Sequence, residues 1–249
     1  MINCLRPRIL PLFTLGAGGL GFALRLWLFA NTDEKGLLPD AHISAVLLYI
    51  LTGLVLAVLF ICVRQLKPVS KYAKLFPASI HRSVGCGIGA FGILYTAVFQ
   101  YGFSGDILHT LTAVVGVAAA LAMGTMAFLR YLGSRPSVPL YTVLTAFLML
   151  DTVSRCRVWS AEPQAQMYFF PLLAGVTLML AGYYLTELSV RRGDSRRFVF
   201  FNQAAVFFCC VCMNGENGLF YPAMAAWLAL DLCAVDTGAV SAVQDAGEA

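Results

Sequence analysis

The sequence predicts an all-α fold, a polytopic bundle of transmembrane helices, and three observations predict it. Of 249 residues, 59% are hydrophobic and 12% charged, about half the roughly 25% that a solvated domain carries. Mean hydropathy is +0.78. The apolar residues also fall into eight long runs separated by short polar segments, most of them near the about 20 residues a helix needs to cross a bilayer. The lipid bilayer is therefore the first expected partner. A net charge of +4 is small and concerns orientation, not nucleic acid, which is not an expected partner.

The first run, 9–30, follows Arg6 and Arg8. It is too long for a signal-peptide core and lacks a clear A-x-A cleavage site, so a retained span is predicted. Gly18, Gly21 and Arg25 share one helical face. Small residues let helices approach closely, which turns Arg25 toward the bundle. The second run is 42–63. The segment after it, 64–83, carries Arg64, Lys67, Lys71, Lys74 and Arg82 with Pro68 and Pro77, and its apolar residues suit a short interfacial helix. The third run, 84–102, opens with Gly85, Gly89 and Gly92 on one face, a packing seam.

Gly102-Phe-Ser104-Gly105 has the Gly-x-Ser-Gly form of rhomboid intramembrane proteases, but no histidine follows His109 to act as base. Ser104 is read instead as the cap of the fourth run, 107–129. The fifth run, 139–158, ends in charge, and Glu162-Pro163 marks a helix end. The sixth is 167–190. The seventh, 198–213, is short: 16 residues rise about 24 Å against a hydrocarbon core of about 30 Å. The eighth is 219–235, with Asp231 near its end, without an evident partner and read as hydrated close to the interface. The tail, 236–249, has no Lys or Arg and reads as disordered. Residues 1–235 thus form a single helical domain.

Orientation follows from the basic residues. With eight spans and the N-terminus inside, the inner segments hold thirteen Lys and Arg and the outer loops hold only Lys35. That asymmetry predicts both termini on the cytoplasmic side. It places Arg25, Trp27, Arg155, Arg157, Trp159 and Glu162 toward the outer face. Arg25-Leu-Trp27 closes the first run and Arg157-Val-Trp159 the fifth. A parallel duplication of four spans would produce that match.

The chemistry concentrates in Asp151-Thr-Val-Ser-Arg155-Cys-Arg157-Val-Trp159. On a helix Asp151, Arg155 and Trp159 line one side, while Arg157 points elsewhere. Charge within a membrane must face protein, water or a partner. Asp151 is expected to pair with Arg155 or, across the interface, with Arg25. The positive charge left over near Trp27 and Trp159 makes Arg25, Trp27, Arg155, Arg157 and Trp159 a candidate site for a small anionic solute, since Arg matches carboxylate and phosphate. The bland alternative is arginine snorkelling and interfacial tryptophan. Eight cysteines, mostly inside apolar runs, predict buried thiols, not a disulfide framework or zinc site. There is no H-E-x-x-H, Walker A motif or carboxylate-rich cluster, so no catalytic residues, metal or cofactor are expected.

Gly19-Leu-Gly-x-x-Leu-Arg25-Leu-Trp27 and Arg157-Val-Trp-Ser-x-Glu-Pro-Gln164 resemble a family of small bacterial multi-span membrane proteins with no assigned activity. The resemblance runs along most of the chain. It implies a bacterial plasma-membrane location and a similar span count, and implies nothing about activity. Two functions stand: binding or transport of a small anion at the Arg/Trp site, or a structural or accessory membrane subunit with no ligand.

Overall fold

The computed structural model describes residues 9–31, 42–66, 79–102, 106–134, 136–160, 165–190, 194–214 and 218–233. They form eight helices and no strand. These are α1 (Ile9–Ala30), α2 (Ile43–Gln65), α3 (Ile80–Tyr95), α4 (Ile107–Tyr131), α5 (Val138–Trp159), α6 (Ala165–Ser189), α7 (Ser195–Val211) and α8 (Phe220–Cys233). A π-helical segment, Thr96–Tyr101, continues α3.

Local sequence sets the start of three helices. His42 caps α2, its ring nitrogen accepting from Ser44 N at 3.3 Å. Asp194 caps α7 by accepting from Arg196 N at 2.9 Å, which satisfies a donor the helix cannot. Pro139 stands in the first turn of α5, where its missing N–H costs nothing. The helices extend past the apolar runs because polar residues continue a helix as readily as apolar ones. Thus α3 begins at Ile80, before the expected 84, and α7 begins at Ser195, before the expected 198. The interfacial helix expected within 64–83, the Ser104 cap and the tail 236–249 lie wholly or largely outside the described residues; α4 is flanked instead by Asp106.

The packing order is a closed ring. Going round, α3 packs on α4, α4 on α5, α5 on α6, α6 on α7, α7 on α8, and α8 returns to α3; α1 and α2 lie against α7. Phe147 of α5 and Phe220 of α8 meet edge to face across the ring, centroids 6.5 Å apart. With Met123, Met126, Leu144 and Phe207, all fully buried, they belong to one contiguous core. The glycine seam holds α3 against α8. A Cβ on Gly89 would lie 3.2 Å from that of Trp227, and one on Gly85 would lie 3.0 Å from that of Leu230. The four-plus-four duplication is not supported by this order: α3 packs on α8, but α7 and α4 are not among the principal contacts.

Five helices are long and apolar enough to cross a membrane: α1, α2, α3 with its π continuation, α4 and α6. Their outward faces carry Leu20, Ile50, Leu54, Phe91, Phe99, Leu121 and Phe128, all exposed. Apolar surface of that extent belongs against lipid or a partner, not water. The other three helices are different. α5 has the length, but Asp151, Arg155 and Arg157 interrupt its apolar run. α7 and α8 have 17 and 14 residues, and every residue from 202 to 212 is buried. A helix apolar on all sides belongs in an interior. This architecture is compatible with a multi-pass membrane protein.

Candidate functional site

The charged residues gather at the two ends of the bundle. At one end α1, α3, α5 and α7 finish and α8 begins. There Asp151 and Arg155, one turn apart on α5, form a two-pronged ion pair: Arg155 Nη2 donates to Asp151 Oδ1 at 2.8 Å and Nε to Oδ2 at 2.9 Å. Tyr101 adds a third donor, its hydroxyl lying 2.8 Å from Oδ1. Arg155 Nη2 also reaches Gln100 Oε1 at 3.5 Å. Both partners from α3 come from the π segment. The extra residue of a π turn re-aims the side chains after it, and here Gln100 and Tyr101 turn onto α5. The rings of Phe220 and Tyr221 on α8 lie 5.0 and 5.7 Å from the guanidinium, a favourable cation–π placement. Arg155 therefore ties α3, α5 and α8 together.

Arg25 is 5% exposed and does not join that pair. Its Nη1 donates to Val211 O at 3.3 Å and its Nη2 to Met167 O at 3.4 Å. Both carbonyls are orphans by construction. Val211 is the last residue of α7, where carbonyls lack an intrahelical donor. Met167 would bond to the N–H of residue 171, but residue 171 is proline, which has none. Arg25 thus fills two vacancies created elsewhere in the sequence, and a cation suits the negative end of the α7 dipole. The expected Arg25–Asp151 pair does not form, because Asp151 already holds three donors.

The remaining candidates are dispersed. Arg157 is exposed and pairs with Asp106, Nη1 to Oδ2 at 2.8 Å, a surface interaction of modest value. Trp27 is half exposed, edge-on to His42 with centroids 5.7 Å apart. Trp159 stacks on Tyr168 at 5.3 Å. Arg25 and Arg155 share one neighbour within electrostatic reach, the Cys212 thiol; Arg157, Trp27 and Trp159 have the separate partners just named. Cys209 and Cys212 have C-x-x-C spacing. Both are buried and free.

At the other end the structure assembles a cluster that sequence reasoning missed. Asp231, expected to be hydrated and unpartnered, is fully buried. Its Oδ1 accepts from Arg82 Nε of α3 at 2.9 Å and from Arg130 Nη1 of α4 at 2.8 Å. Arg130 also donates to the Cys86 sulfur and, at 3.3 Å, to the Tyr141 hydroxyl. Arg82 and Arg130 stand beside the polar segments between apolar runs, yet they are 3% and 5% exposed. A signal existed: all three residues fall within a turn or so of helix ends that the alternating chain direction brings to one level. No group of three or more His, Cys, Asp or Glu suited to a metal occurs among the described residues.

No family model matches the chain, and neither a curated protein nor a solved structure is detectably similar to it. The site's class therefore rests on its geometry: buried arginine networks that join helices.

The Asp151–Arg155 pair is testable by a double-mutant cycle. Removing one member of a buried pair costs about 3–5 kcal/mol, more than removing both. Asp151→Asn should lower the melting temperature in detergent, and Asp151→Asn with Arg155→Gln should recover part of the loss. Strictly additive losses would show the two residues to be independent.

Proposed function

We propose that this is an eight-span plasma-membrane protein of structural or accessory type, both termini cytoplasmic, in which buried arginines fix one helix arrangement. The observation that carries this reading is the fate of the three arginines at the Asp151 end. Arg155 holds Asp151, Arg25 holds the orphan carbonyls of α6 and α7, and Arg157 holds Asp106. Each guanidinium finds acceptors within the protein, and two of the three are paired with carboxylates, which leaves Arg25 alone of the surplus that motivated an anionic solute. The shortness of α7 and α8, 17 and 14 residues, fits this reading: surrounded by other helices, they need not match the thickness of the lipid.

The basic residues support the orientation. Burial of Arg82 and Arg130 takes two from the thirteen counted on the inner side, and the imbalance against Lys35 alone persists. The Asp151 end then faces outward and the Asp231 end inward. Cysteines placed by Lys35→Cys and Glu216→Cys, in a background without the native thiols, should react with an impermeant thiol reagent added outside. Arg196→Cys should stay unreactive. The reverse pattern would refute the orientation.

One observation favours the solute reading. Arg25 is a buried cation with no carboxylate within ion-pair distance among the described residues. A small carboxylate or phosphate competing with the two carbonyls would find a donor fork there. Thermal-shift measurement of the purified protein against small organic anions separates the two readings. The structural reading predicts no stabilisation at millimolar concentration. An anion that stabilises the wild type but not Arg25→Lys would overturn it.

A further inference from the structure

The Asp231 cluster contains polar atoms that the protein leaves unanswered. Asp231 Oδ2 is buried and makes no hydrogen bond within the protein. Trp227 Nε1, one turn earlier on α8, is also buried without a conventional partner, with the weakly accepting Cys86 sulfur near it. Both side chains are effectively sealed, at 0% and 1% exposure. A third orphan lies on α7, which packs against α8. Asn202 is fully buried, and neither its Nδ2 nor its Oδ1 has a partner.

An orphan donor and an orphan acceptor one helical turn apart are costly in a dry interior. The charges around them say what could relieve that cost. A cation is opposed by the guanidiniums of Arg82 and Arg130, and an ionised anion has no proton to give Asp231 Oδ2. A small neutral molecule that both donates and accepts satisfies Oδ2 and Nε1 together. Water is the smallest, and buried water takes two to four such partners.

We propose that this end of the bundle is a hydrated polar site, with water bound between Asp231 Oδ2 and Trp227 Nε1 inside the frame of Arg82, Arg130, Cys86 and Tyr141. The site is distinct from the Asp151 network and does not depend on the structural reading of that network. It gives the bundle interior a receptor for small neutral hydrogen-bonding molecules at the level of Asp231.

X-ray radiolysis of the purified full chain in detergent tests it, because hydroxyl radicals formed from bound water oxidise the side chains touching that water even where bulk solvent does not reach. Digestion and mass spectrometry then read each residue. Trp227 should be oxidised at a rate of the same order as half-exposed Trp27, while the sealed Phe207 and Phe208 remain unmodified. Trp227 untouched at doses that consume Trp27 would overturn the proposal. So would oxidation of Trp227, Phe207 and Phe208 in parallel, which marks general opening of the bundle.

Discussion

The constraint on which much of this structure depends is the early end of α7. This helix is the hub of its side of the bundle, in contact with α1, α2, α6 and α8, yet it has only 17 residues, about 26 Å of rise. Its last residue, Val211, meets Arg25, which stands five residues before the end of α1. At about 1.5 Å per residue, α1 continues some 7–8 Å beyond the level of Arg25. A helix that stops among other helices exposes carbonyls to an apolar interior, where each unanswered group is expensive. Arg25 answers Val211, and its second arm answers the carbonyl that Pro171 leaves open in α6.

Similar reasoning organises the rest of the charge. Asp151 is a buried acid, so it draws Arg155 from its own helix and Tyr101 from a π turn that exists nowhere else among the described residues. Asp231 draws Arg82 and Arg130 from two neighbouring helices. α3 and α8 contribute to both networks, and the glycine seam between them fixes the spacing. The ionic groups at the two ends of this helix pair therefore act on one rigid interface and not on separate elements.

Much of this was legible in the sequence. The eight helices follow from apolar runs, and the Asp151–Arg155 pair follows from i, i+4 spacing on a helix that must bury both. The inward face of Arg25 follows from Gly18 and Gly21, which in the structure pack on Cys210 and Val211. What escaped was long-range. Nothing local announces that Pro171 and the end of α7 leave vacancies for Arg25, because Arg25 stands 142 residues from Met167 and 186 from Val211 along the chain. Arg82 and Arg130 were hidden by their positions beside polar segments, where a basic residue reads as a loop charge. Only the ring order, α8 closing onto α3, shows that Asp231 sits between them.

The direct measurement of this account is the coupling between Arg25 and Pro171. Pro171→Ala restores an N–H to α6, which can then satisfy Met167 O without help. Melting temperatures of the wild type, Arg25→Gln, Pro171→Ala and the double variant in detergent give the interaction. If Arg25 serves the orphan carbonyls, Arg25→Gln destabilises by about 1–3 kcal/mol in the wild type and by clearly less once Pro171 is replaced. Losses that add within about 0.5 kcal/mol, the behaviour of independent sites, would contradict the central claim that Arg25 is there to complete the backbone of its neighbours.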